Sequence, residues 1–166
     1  MDVAAVVFSH LSGLRISNVL ATGLTVRVYA EPGSVGARCP DCSTVSRRVH
    51  SRYERRLLDA PVAGRETVLH LRVRRFFCTM DDCLRRIFAE QIDGVTVRHG
   101  RFSTLARNGM EAVALALGGR AGARLAGRLG PHVGRMTLLR LVRALPEPPV
   151  PALTVLGRVS KSAVGG

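Results

Sequence analysis

The sequence predicts an α+β protein: a small β domain pinned by two cysteine pairs, followed by a three-helix unit. Three observations lead there. Residues 23–29 and 66–77 alternate apolar and polar side chains in the manner of half-buried strands. The four cysteines fall as two short-spaced pairs within the same stretch. From about residue 102 the apolar period lengthens to that of a helix, with Leu105, Met110, Val113, Ala114 and Leu117 on one stripe.

The elements follow in order. An apolar start, residues 3–14, leads into the first alternating run, where Leu24, Val26 and Val28 share one face. A turn at residues 31–36, Glu-Pro-Gly-Ser-Val-Gly, precedes the first cysteine pair. The second run sets Leu69, Leu71 and Val73 on one face and His70, Arg72 and Arg74 on the other, a strand with one basic side. Gly118-Gly119 ends the first helix, residues 120–129 form the second, Gly130-Pro131 turns the chain, and residues 136–145 form the third. Four prolines at 146, 148, 149 and 151 stop it and start a stiff linker. The expected boundaries are 1–95 for the β domain, 96–146 for the helical domain and 147–166 for the linker and tail.

Charge narrows the function. Lys and Arg number 25 against 12 Asp and Glu, a net charge of +13, which points to a polyanionic partner. Only Lys161 is a lysine, and guanidinium groups grip phosphates and guanine edges in two-pronged fashion. No apolar run is long enough to span a bilayer, and Asp2, His10 and Arg15 interrupt any signal-peptide core, so a cytoplasmic, nucleoid-associated protein with no membrane partner is expected.

In a reducing compartment, thiols serve metals or cores more often than disulfides. Cys39-x2-Cys42 and Cys78-x4-Cys83 have the layout of a four-thiolate Zn2+ site, each pair on one turn supplying two corners of a tetrahedron. Alternatives are four buried small side chains, a Cys39/Cys42 redox pair, or His50 or His70 replacing one thiolate. With so few aromatic residues, metal binding is expected to supply much of the folding energy of residues 24–90. Residues 120–145 have the outline of a helix-turn-helix, with Ala121, Ala123 and Ala126 allowing close approach and Val133, Leu138 and Leu141 as the seam. Arg135, Thr137, Arg140 and Arg143 would then face DNA, supported by Arg47, Arg48, Arg52, Arg74 and Arg75 from the β domain. A plain helical hairpin with solvated arginines is the alternative.

The order of CPDC at 39–42, His-Ser-Arg-Tyr at 50–53, Asp-Ala-Pro at 59–61, Val-Arg-Arg-Phe at 73–76 and the helical stretch 118–145 resembles the N-terminal half of the ISL-three family of insertion-sequence transposases. The resemblance runs over about residues 8–157. It implies a zinc-binding domain and a helix-turn-helix that together recognise the element's terminal inverted repeats in double-stranded DNA. The family continues into an RNase H-type catalytic domain, whereas here Leu156-Gly157 is followed by residues 158–166 without an acidic side chain. A truncated transposase without catalysis is therefore expected. Its other expected roles are contact with a second copy or a full-length transposase, as an inhibitor, or none, as a pseudogene product. An enzyme using the Cys39/Cys42 pair is the remaining class.

Overall fold

The computed structural model describes residues 3–147, so most of the expected linker and tail lies outside the described residues. A short helix α1 (Val3–Val7) and a 3-10 turn (Ser9–Leu11) lead into β1 (Leu14–Thr22) and β2 (Thr25–Pro32). Then come β3 (Ala37–Arg38), β4 (Val45–Ser46), β5 (Val49–Val62), β6 (Arg65–Phe77) and β7 (Ile87–Ala89). Two helices close the described chain, α2 (Thr104–Leu129) and α3 (Arg135–Arg143).

The main sheet runs β1-β2-β6-β5, with β7 added beside β6 and β3-β4 forming a separate ribbon. Its centre is a long β5–β6 hairpin, joined by Ala63 and Gly64 at φ 51° and 70°. Positive φ at both turn positions matches the right-handed twist of the flanking strands. β2 lies parallel to β6, pairing Val28 with Leu69 and Ala30 with Leu71, while β5 pairs Leu57 with Leu69. Val28, Leu57, Leu69, Leu71 and Val73 are fully buried on this shared face, and Phe8, Leu11, Ile92 and Val95 cover it.

Alternation correctly reads β6, but two strands escape it. β1 is an edge strand whose side chains are mostly exposed, held to β2 through its backbone, so no apolar period marks it. β5 is disguised because Arg55 occupies an inward position, where its guanidinium donates to the carbonyls of Val97 and Gly100. Leu24, expected beside Val26 and Val28, is 82% exposed at the β1–β2 turn. The core is also larger than expected. The sheet face forms one cluster, and the cysteines sit in a second with Phe76 and Phe88, so the metal is not the sole support of residues 24–90.

The helical unit follows its expected breaks. α2 is interrupted at Gly118 (φ 67°, ψ −169°), which L side chains rarely adopt, so two limbs meet there. α3 begins one residue before the expected third helix and ends two earlier. Gly119 and Gly122, rather than the three alanines alone, permit the close approach: a Cβ on Gly122 would lie 3.0 Å from Leu138 Cδ1, and one on Gly119 3.1 Å from Leu139 Cγ. Leu138 is fully buried and Val133 nearly so, as the seam requires, while Leu141 is half-buried. Leu105 and Leu117 leave the buried stripe, each 44% exposed.

One buried carboxylate joins these parts. Asp59 on β5 accepts from the Ser103 hydroxyl at 2.5 Å and lies 2.8 Å from His10 Nε2. Ser103 is the N-cap of α2, accepting from the Ala106 N–H at 3.1 Å. The far end of α2 rests on the hairpin turn, where a Cβ on Gly130 would meet Arg65 and Pro61 at 3.0–3.1 Å. Replacing Asp59 with Ala leaves the buried Ser103 hydroxyl and the half-buried His10 ring without this acceptor and is expected to lower unfolding stability by about 1–3 kcal/mol in a denaturant titration.

Candidate metal centre

The first cysteine turn is shaped by the backbone. Cys39 donates its N–H to the Thr44 carbonyl and its carbonyl accepts from Ser43, both at 2.9 Å, with Ser43 at φ 59°. The second turn is closed by the Cys78 N–H to the Arg86 carbonyl at 2.9 Å and the Cys83 N–H to the Met80 carbonyl at 3.3 Å. These bonds absorb the wider four-residue gap. The β5–β6 hairpin carries the chain from the first turn out and back, and the Phe77 N–H binds the Arg48 carbonyl at its base. The two turns thus meet although 35 residues separate Cys42 from Cys78.

All four sulfurs lie within 4.8 Å of one another. Cys39 Sγ is 3.9 Å from Cys83 Sγ, and Cys42 Sγ is 3.5 Å from Cys78 Sγ. Zinc–sulfur bonds of about 2.3 Å in a tetrahedron place neighbouring sulfurs about 3.8 Å apart. The observed separations bracket that edge and are far beyond a disulfide of about 2.0 Å. The cysteines are positioned to bind a metal ion, and an all-thiolate donor set suits Zn2+. Phe76 and Phe88, with ring centroids 5.9 Å apart, pack beside them as a small apolar floor. Arg85 Nε donates to Asp41 Oδ2 at 2.8 Å, strapping the second turn to the first.

Protonation of the sulfurs is uneven. The Thr44 side chain and its backbone N–H hold the Cys42 thiol down at about 6. At Cys83 the Arg85 N–H pulls downward, but burial and the neighbouring sulfurs outweigh it and push the thiol up to about 12. Cys78 moves the same way, the Met80 N–H being outweighed by burial and by Cys42. One ready thiolate beside raised thiols is the pattern of a site that sheds protons as a cation enters.

Residues 36–83 match the family model described as the zinc-finger of transposase IS204/IS1001/IS1096/IS1165. This segment is similar to the zinc ribbon of those transposases. The ribbon includes all four cysteines and ends on the fourth, in agreement with the resemblance drawn from the residues. No curated protein and no solved structure matches the chain.

The two histidines considered as ligands are engaged away from the sulfurs. His70 stacks on Tyr29 with centroids 4.7 Å apart and lies 3.1 Å from Glu54 Oε1, and His50 packs edge-on against Phe77 beside the ribbon. The arginines divide into two groups. Arg47, Arg48, Arg52 and Arg75 are exposed, Arg48 lying 4.8 Å over the Phe77 ring and Arg75 4.7 Å over Tyr53. Arg74 is drawn into the fold, donating to the buried Glu90 at 2.5 and 3.0 Å and to the Ser34 carbonyl at 2.8 Å. On α3, Arg135, Arg140 and Arg143 are exposed and Thr137 is half-buried. The Asp41 strap and the Phe76/Phe88 floor were not legible as site contacts, because each forms only after the hairpin folds back; Thr44 acts within the first turn, on Cys42.

Two measurements check the centre. Chelation is expected to raise amide exchange in residues 36–50 and 78–89 while the buried strands β2 and β6 stay protected up to about residue 73. Zinc affinity is expected to fall as pH falls: Cys78 and Cys83 are protonated at neutral pH and lose their protons on binding. Displacing these protons weakens apparent affinity by at least about 100-fold per pH unit, and more steeply below about pH 6, where Cys42 also protonates.

Proposed function

We propose that the chain binds DNA sequence-selectively, recognising the terminal inverted repeats of an insertion sequence through the zinc ribbon and the helical unit together. The observation that carries this reading is the set of four clustered sulfurs inside a transposase zinc-finger segment. A zinc ribbon of this kind is a DNA-binding module rather than a catalytic one. In this reading Cys39, Cys42, Cys78 and Cys83 supply thiolates to one Zn2+, which fixes both turns and the arginines beside them. No step of bond making falls to the ribbon.

The helical unit contributes a helix-turn-helix in the same reading. The second limb of α2, the turn at residues 130–134 and α3 would form it, with α3 entering the major groove. The exposed Arg140 and Arg143, on the side of α3 away from the buried Leu138, and the exposed Arg135 at its first residue support that orientation. Thr137, in the first turn of α3, would reach a base or phosphate beside them. Arg47, Arg48, Arg52 and Arg75 would grip phosphates. Arg74, already bound to Glu90, would hold the ribbon's flank in place instead. Among the described residues no helix is long and apolar enough to cross a membrane, which suits a protein working on chromosomal DNA in the cytoplasm.

Exposed leucines favour a second partner for α2. Leu115 is 63% exposed, and Leu105, Leu117 and Leu129 are each close to half exposed. A second copy of the chain, or a full-length transposase bound as an inhibited mixed dimer, would cover them. Co-elution that survives nuclease treatment supports this; a monomer at all concentrations rejects it.

Replacing Arg140 with Ala is expected to weaken binding to inverted-repeat DNA by about 1–3 kcal/mol and to relax the preference for that sequence. A gel-shift titration with repeat and scrambled duplexes measures both. Equal binding to the two duplexes by the unmodified protein rejects sequence recognition.

A further inference from the structure

We propose that the solvent-facing part of the main sheet's outer face, beyond the end covered by the helical unit at Leu58, extends the contact of Arg52 into a phosphate-binding platform for duplex DNA, carried by Arg27, Arg52 and Arg72. The inference deepens the DNA-binding reading and rests on it. Strand register defines the face. The buried face holds Val28, Leu69, Leu71 and Leu57, so the residues between them point the other way. Those are Arg27 and Tyr29 on β2, His70 and Arg72 on β6, and Arg52, Glu54 and Arg56 on β5. Beside them Arg15 on β1 pairs with Glu31 on β2.

Two of the carboxylates of this face are already neutralised, and a third, Glu66 at its hairpin end, accepts the His132 N–H at 3.3 Å. Glu31 accepts from Arg15 at 2.7 Å, and Glu54 accepts from Arg56 at 2.8 Å with His70 3.1 Å away. Glu54 is held below the usual carboxylate range by the Arg56 hydrogen bond and by His70. Arg27, Arg52 and Arg72 are exposed, and no side-chain partner is found for any of them among the described residues. Three guanidinium groups without a side-chain partner on one face raise the positive potential that draws a polyanion.

The middle of the face is stiff. Tyr29 and His70 stack across β2 and β6, their planes 26° apart, and Glu54 tethers the imidazole to β5. Ser34 and Arg74 are locked to the buried Glu90 at one margin. Two adjoining clefts open between these fixed points, one lined by Glu31, Arg52, Glu54, His70 and Arg72 and the other by Arg15, Glu31, Arg52, Arg72 and Arg74, with Glu31 held by Arg15. Arg52 and Arg72 border both clefts, placing two cationic forks where a phosphate oxygen would enter. Strands rise about 3.3 Å per residue, so Arg27, paired with Val68, stands about 13 Å along β6 from Arg72. That distance is close to the width of a DNA groove, about 12 Å, and suits contacts to two backbone segments. Because only phosphates are reached, this platform adds affinity without reading sequence.

The test compares the full chain with a variant carrying Arg27→Gln, Arg52→Gln and Arg72→Gln, and with the three lysine substitutions. Affinity for duplex DNA is measured between 50 and 200 mM salt, with zinc content as a check on folding. The glutamine variant is expected to lose about 0.9 from the salt slope per contact, equally for repeat and scrambled duplexes, and the lysine variant to recover it. An unchanged slope in a zinc-loaded glutamine variant overturns the platform while leaving the ribbon's DNA binding intact. Absence of any duplex binding by the unmodified protein overturns both. Should the glutamine variant lack zinc, arginine modification of the unmodified protein decides: DNA is expected to protect Arg27, Arg52 and Arg72, and equal labelling with and without DNA rejects the proposal.

Discussion

Four sulfur atoms within 4.8 Å of one another form a stable arrangement as thiolates only if a cation stands between them. Everything at this end of the molecule follows from that closure. The two cysteine turns are each held by only two or three backbone bonds and share a floor of two phenylalanines, too small an apolar cluster to fix them unaided. The Asp41–Arg85 strap is partly exposed, and such a pair contributes little alone. Metal ligation therefore supplies the stiffness that lets short loops hold arginines in register.

The rest of the fold is built to carry that ribbon. The β5–β6 hairpin has its own buried face, shared with β2 and sealed by Phe8, Leu11, Ile92 and Val95. Asp59 ties this sheet to His10 on one side and to the cap of α2 on the other. The helical unit thus docks at the end of the hairpin away from the cysteines, and the ribbon and α3 are held by one continuous strand pair. The positive charge is divided by the same architecture. Arg55, Arg74 and Arg85 serve carbonyls or carboxylates within the fold, while Arg27, Arg52 and Arg72 on the sheet and Arg135, Arg140 and Arg143 on α3 face outward. A high arginine content by itself does not say which arginines meet a polyanion; the register of the strands does.

The cysteine spacing, the β6 alternation and the glycine breaks at 118 and 130 were legible because each is a local signal. A zinc knuckle, an amphipathic strand and a positive-φ glycine are written within a few residues of one another. What stayed hidden depends on partners distant in the chain. β1 was silent because an edge strand needs no apolar face, and β5 because Arg55 sits inward only when the carbonyls of Val97 and Gly100 are there to receive it. The roles of Gly119 and Gly122 emerged only with α3 packed against them, since the neighbouring alanines carry the same small-residue signal. The outer sheet face could not be assembled before the parallel pairing of β2 with β6 placed Arg27 on the side that carries Arg72.

X-ray absorption at the zinc edge of the purified protein tests the central claim most directly. The account predicts one zinc per chain surrounded by four sulfurs at about 2.3 Å, with no nitrogen or oxygen neighbour. A shell containing imidazole nitrogen or water, or protein that folds with its thiols free and no metal, would contradict it.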